Sequence, residues 1–190
     1  MTEIDFRTYY DLERHLFNEV SQRFENGGSL NAVDFFCIVI WKANRAKSKV
    51  AKRLLSHSEG YGTLNQAIEA LTKAIFAAAT PRAKLEIMCS EWGFRLPMAS
   101  AVLTVLYPEE FTVYDVRVCN KLGNYHSAQN RTNFDNLWKE YAAYVQAVRK
   151  RGPRSFSLRD KDRWLWGKSF RDELRSDLAD NFRRLKNRKM

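Results

Sequence analysis

The sequence predicts an all-α protein built from many short helices. Three observations predict it. Apolar residues recur every three or four positions in nearly every segment, the period of a helix with one buried face. Helix-opening residues, a Thr63 or Asn65 cap and the prolines Pro81 and Pro97, stand ahead of several of those segments. Only "EEFTVY", residues 109–114, reads as extended, and it is too short to make a sheet of its own.

The elements follow in order. Residues 4–24 place Tyr9, Leu12, Leu16 and Val20 on one face. Residues 30–41 offer Val33, Phe36, Cys37 and Ile40 to a core. A polar break at Ala43–Lys47 precedes a short helix over 48–56, and "SEGYGT" is a loop. The next helix carries Leu64, Ile68, Leu71 and Ile75. Thr80-Pro81 opens a helix that runs through Trp92, and Pro97 opens one over 97–106. A helix starts at Asp115. A long one carries Phe134, Leu137, Trp138, Tyr141, Val145 and Val148. "RGPRS" then breaks the chain, and a final pair covers 158–166 and 169–186, the last with Phe170, Leu174, Leu178 and Phe182. The closing "LKNRKM" is expected to fray.

A chain of 190 residues fits one large domain, or two small lobes around a shared core, and can bury a real hydrophobic interior. Its charge is uneven. The net charge is +10, and residues 145–190 alone hold 15 Lys/Arg against 6 Asp/Glu. Residues 41–53, "WKANRAKSKVAKR", add six cations and no acid. Such a division suits a polyanion, nucleic acid above all; the alternative is a solvated basic surface with no partner. The three cysteines, Cys37, Cys89 and Cys119, are too few for a four-thiolate cluster and read as buried free thiols in a reducing cytoplasm. His15, His57 and His126 show no metal-ligand spacing, and no apolar run reaches membrane-spanning length.

Chemistry concentrates in "GFRLPMASAVLTVLYPEEFTVYDVRVCNKLG", residues 93–123. Two predicted helices, 81–92 and 97–106, are joined by a turn of a few residues. Gly93 permits a positive φ, and Pro97 supplies the fixed φ of a helix start. Free N–H groups at that start, with Arg95 beside them, make an anion site suited to a DNA phosphate; an ordinary helical hairpin is the alternative. Asp115 follows the extended run. As an N-cap it would accept backbone N–H bonds and need no other role.

The same stretch resembles the helix–hairpin–helix superfamily of DNA glycosylases, the group of endonuclease III, adenine glycosylase and 8-oxoguanine glycosylase. Gly93-Phe94-Arg95-Leu96-Pro97-Met98-Ala99 lies in register with that family's G-V-G-x-K-T-A hairpin, and Val113-Tyr114-Asp115-Val116-Arg117-Val118 with its aspartate signature. No gap separates the two, and "RVCNKL" continues the likeness. Upstream, "AVDFFCIVIWKANRAKSKVAKRLL" is similar to the family's F-x-x-L-I-x-x-x-L-S-x-Q helix and loop. The resemblance spans residues 30–125. It departs at Arg95, where the hairpin's second glycine would stand, and at Pro97, where the bifunctional members carry their lysine.

The resemblance implies a single glycosylase-like domain over 1–190. Residues 30–125, with the hairpin 81–106, would form its core, and 1–29 with 126–190 a second helical lobe across a cleft. It implies Asp115 as the catalytic carboxylate. DNA contacts would come from Gly93, Arg95, Pro97 and Met98 and from Lys42, Asn44, Arg45, Lys47 and Lys49. Trp41, Tyr114, Trp164 and Trp166 are the expected base-pocket residues. Trp164 and Trp166 are two apart, so one helix face cannot bury both. Tyr125 and His126, in the loop after the aspartate helix, are further candidates to meet DNA. Proline cannot form a Schiff base, so the expected activity is monofunctional excision of a modified base, leaving an abasic site. The base could be a damage product or a bulky modified base of phage DNA. Lys42, Lys47 or Lys49 are the lysines that could replace the missing one. The expected partner is double-stranded DNA, bound by a nucleoid-associated cytoplasmic monomer with no cofactor, metal, iron–sulfur cluster or membrane contact. An inactive helix–hairpin–helix DNA-binding module and a helical protein–protein module are the alternatives.

Overall fold

A computed structural model of the chain describes residues 6–57 and 61–182. The expected fraying of 185–190 and part of the "SEGYGT" loop lie outside the described residues. Within them the protein is all-α, with no strand.

After a 3-10 turn at Phe6–Tyr9, α1 runs through Leu12–His15, a π segment Leu16–Val20, and Ser21–Gly27. Asp11 caps its start. Helix α2 (Ala32–Ala43) is capped by Asn31. A 3-10 turn, Asn44–Ala46, leads into α3 (Lys47–His57). Helix α4 (Leu64–Ala77) opens with a reciprocal capping box between Thr63 and Gln66. Helix α5 (Pro81–Glu86) continues as a π segment, Ile87–Glu91. Then come α6 (Leu96–Leu106), α7 (Val116–Leu122), α8 (Phe134–Arg149) and α9 (Leu158–Ala179).

Helix α6 is the central strut. Every residue from Met98 to Leu106 is buried, Ser100 and Thr104 included, so it is enclosed all round rather than on one stripe. Helices α1, α2 and α5 pack on it, and α9 packs on α7 and α8. One hydrophobic cluster runs through all of these, from Leu16 and Phe35 to Tyr141 and Leu165.

Two predicted faces are placed differently. In α2, Val33 and Ile40 are exposed, while Phe35, Ile38 and Val39 are fully buried. That helix is apolar on both sides, so spacing alone does not tell which side meets the core. The predicted pair after residue 157 is one continuous helix, α9. Gly167 lies inside it with open space where a side chain would stand, and the roughly 1 kcal/mol penalty of a helical glycine is too small to end a packed helix. The buried stripe of α9 is Leu158, Asp162, Leu165 and Ser169; Phe170, Leu174 and Leu178 face solvent.

Candidate functional site

The extended run at 111–114 is buried and, among the described residues, has no strand to pair with. Its backbone groups must still be satisfied. Side chains do this. The Tyr141 hydroxyl accepts from the Thr112 N–H at 3.3 Å and donates to the Thr112 carbonyl at 2.7 Å. The Tyr144 hydroxyl donates to the Val113 carbonyl at 2.9 Å. Ser100 Oγ accepts from the Tyr114 N–H at 2.9 Å. Helices α6 and α8 thus hold the chain that delivers Asp115.

Asp115 is the N-cap of α7. Its Oδ1 accepts the Arg117 N–H at 2.9 Å, and its Oδ2 pairs with Lys42 Nζ at 2.8 Å. Both charged side chains are mostly sequestered, Lys42 at 15% exposure and Asp115 at 22%. Lys42 comes from the last turn of α2, so the pair joins two elements far apart in sequence.

The pair opens into a cleft of about 470 Å³. Trp41 and Trp166 supply its aromatic lining, and Glu13, Arg117, Arg159, Asp162 and Arg163 bring further charge. Arg159 is the hub. It bonds Glu13 at 2.6 Å and Asp162, and its guanidinium lies 5.1 Å from both the Phe17 and Trp41 ring centroids. Burial raises the Glu13 carboxyl, but Arg159 and Arg163 outweigh it and hold the group below its ordinary value. Asp162 behaves oppositely. It is 2% exposed, and burial pushes it up to about 6 despite Arg159, Lys42 and the Val113 N–H, all of which favour its charged form. At the mouth, Trp166 and Phe170 stack with ring centroids 5.7 Å apart, and Arg117 lies over both while bonding Glu173.

The hairpin turn lies between α5 and α6. Gly93 has φ +64, and the Phe94 N–H reaches back to the Met88 carbonyl at 2.8 Å. Arg53 from α3 donates to the Gly93 carbonyl, tying the basic helix to the turn. The α6 terminus is less open than expected. The helix begins at Leu96, Pro97 has no N–H, and the Met98 and Ala99 amides already bond the Arg95 carbonyl.

The structure brings Trp41, Lys42, Asp115 and Trp166 together around the cleft. It separates others. The Tyr114 ring is buried in the core, with its hydroxyl donating to the Tyr125 carbonyl at 2.6 Å. Met98 is buried too. Trp164 lies outside the cleft lining and carries Lys168 over its ring. Tyr125 and His126 stand off the cleft; His126 Nε2 meets Asn120 at 2.8 Å. Asn44, Arg45, Lys47, Lys49 and Arg95 are exposed, and Lys52 and Arg53 join them. On α3 only Val50 and Leu54 are buried, so its cations sit on the solvent side.

Sequence reasoning missed Glu13, Arg159, Asp162 and Arg163. For three of them a signal was present: 159, 162, 163 and 166 recur at helical spacing, which puts two arginines, an acid and a tryptophan on one face of α9. For Glu13 there was none.

Among the described residues, no cluster of three His, Cys, Asp or Glu could hold a metal ion. No helix there is long and apolar enough to cross a membrane. No family model, curated protein or solved structure matches the chain.

Proposed function

We propose that the protein is a DNA glycosylase that flips out a modified base and removes it by water attack assisted by Asp115. The observation that carries this reading is the placement of Asp115: a helix-capping, ion-paired carboxylate at the edge of a cleft lined by two tryptophans. An enzyme that acts on a base must take it out of the stack, and aromatic walls suit the extruded base. Cleavage of the N-glycosidic bond leaves a sugar with oxocarbenium character. A carboxylate fixed beside it stabilises that charge and can take a proton from the attacking water. The Asp115 carboxylate lies against the first turn of α7 and the Lys42 ammonium, which fix its direction.

In this reading the exposed Arg95 side chain of the turn at 93–98 meets a phosphate beside the flipped nucleotide, the Met98 and Ala99 amides being already bonded. The cations of residues 45–53 hold the duplex beside it. The activity is monofunctional. Pro97 carries no amine, and Lys42 is held against Asp115 at 2.8 Å. A cleft of 470 Å³ also leaves room for a base with a bulky substituent, such as those of modified phage DNA, whose removal would be a defence.

One observation favours a second reading, an inactive DNA-binding module. Both Asp115 oxygens are already engaged, one by the cap and one by Lys42, which a structural ion pair would also require. The test is a panel of modified-base duplexes, scored for abasic sites after alkali, with wild type and Asp115→Asn. Base release by the wild type, reduced about 100-fold or more in the variant, is expected. A wild type that binds duplex DNA but releases nothing across the panel leaves the binding module. Strand breaks without alkali would overturn the monofunctional assignment.

A further inference from the structure

We propose that the cleft takes its base from an unpaired stretch of DNA: one nucleotide enters beside Asp115, and the base next to it in the same strand stacks on Trp166 and Phe170. This rests on reading the cleft as a nucleotide site, and it leaves the flanking duplex on the cations of α3.

The platform consists of two rings that the fold leaves open. Trp166 and Phe170, one turn apart on α9, lie parallel within 7°, with centroids 5.7 Å apart. They are 42% and 46% exposed. The core takes the other face of α9, through Leu158, Leu165 and Ser169. Trp166 lines the cleft and Phe170 follows one turn later, so the aromatic surface leads outward from the cleft.

One residue sets the spacing between platform and carboxylate. The Arg117 N–H donates to Asp115 Oδ1 at 2.9 Å, and the Arg117 guanidinium lies 5.4 Å and 5.7 Å from the Trp166 and Phe170 centroids. Glu173 bonds that guanidinium and holds it over the rings. A base on the rings therefore has a fixed place relative to Asp115. A protein partner would have no use for that spacing.

Stacking on an aromatic ring works for every base, since each has a π-face. In a paired duplex the neighbour of an extruded nucleotide stays in the stack. It reaches a ring on the protein only when it is unpaired as well. The cleft lining holds four cations and three carboxylates, in a chain of net charge +10, so its charge suits an anionic strand. Beyond Phe170 the exposed residues of α9 are Leu174 and Leu178, which offer no ring to stack on.

The test measures binding of the full chain to three fluorescent probes: a paired duplex, the same duplex with a short unpaired run of thymidines, and oligothymidylate alone. Wild type, Phe170→Ala and Leu174→Ala are compared. The unpaired probes are expected to bind wild type roughly 10-fold more tightly than the paired one, the worth of one stacked base. Phe170→Ala should lose that margin and keep its affinity for paired duplex; Leu174→Ala should keep both. Equal binding of the unpaired probes by wild type and Phe170→Ala would overturn the proposal. So would equal losses in Phe170→Ala and Leu174→Ala, which mark an apolar docking face for protein, a second copy of the chain included. Should Phe170→Ala not fold, wild type labelled with fluorotryptophan takes its place: the Trp166 resonance must move when oligothymidylate is added, and an unmoved one refutes the stack. None of these readings needs base release. A strand that stacks while the modified-base panel yields no abasic sites would sink the glycosylase reading alone. Abasic sites from paired duplex, with no margin for the unpaired probes, would sink this proposal alone.

Discussion

Replacing Asp162 with Asn should flatten the acid side of the stability curve. The Asp162 carboxyl titrates at about 6 in the folded chain against an ordinary 3.8, because burial penalises its charge. The folded state therefore binds this proton more tightly than the unfolded one. The resulting stability is fully present below 3.8 and is lost as pH rises through about 6. A shift of this size corresponds to about 3 kcal/mol. Asparagine does not titrate, so relative to wild type the variant should gain most of that amount as pH rises from 4 to 7. In melting temperature this is roughly 5–10 °C for a chain of this size. The attraction of Arg159 for the ionised carboxylate is already contained in the titration near 6, so it adds no separate offset. The assay is urea unfolding of both proteins at pH 4, 5, 6 and 7, reading the gap between them. Other acids titrate in both proteins and cancel. A gap that stays constant from pH 4 to 7 would refute the reasoning.

Further outcomes follow from the same geometry. Tyr141→Phe should destabilise more than Tyr144→Phe, since it orphans both the N–H and the carbonyl of Thr112 rather than one carbonyl; losses of about 1–3 kcal/mol per buried group are expected by denaturant unfolding. The two glycines differ in sign. Gly93→Ala forces a side chain into φ +64 and should cost about 1–2 kcal/mol, whereas Gly167→Ala adds a methyl in open space within a helix and should stabilise by about 0.5–1 kcal/mol. On the nucleic-acid side, neutralising Lys47, Lys49 and Lys52 together should weaken duplex binding at low salt. It should also flatten the slope of log K against log salt by about 0.9 for each phosphate that is no longer neutralised. A slope equal to that of wild type would remove α3 from the interface.

What the sequence made legible is what depends on local spacing and capping. The α4 stripe, the Thr80-Pro81 start and the Asp115 cap all stand where the residues predicted them. The site was half legible. The sequence points to Asp115, Trp41, Lys42 and Trp166, yet it assigns Lys42 to a DNA phosphate, and Lys42 lies inside the cleft against Asp115. That pairing joins positions 73 residues apart and leaves no periodic trace. The phase of α2 was illegible for a different reason: both of its faces are apolar, so packing alone chooses between them. Burial of Tyr114 could not be read either. It follows from the Ser100 and Tyr125 hydrogen bonds, which turn its ring inward while Asp115, the next residue, points out to the cleft.

The extended run explains why the cleft depends on the whole chain and not on the hairpin and Asp115 alone. A strand in a sheet is fixed by its ladder. This one is fixed by hydroxyls from α6 and α8. Asp115 then meets a lysine from α2, and the arginine that frames the tryptophan wall is held by Glu13 of α1. Five helices must dock before the carboxylate has a direction. A fragment of residues 30–125 keeps the hairpin, the α7 cap and the basic helix. It lacks Glu13, Tyr141, Tyr144, Arg159 and Asp162, so Thr112 and Val113 would be left with unsatisfied backbone groups in an apolar interior. The residues that carry the family resemblance are therefore insufficient to build the site. The C-terminal segment, which showed no motif, supplies its far wall.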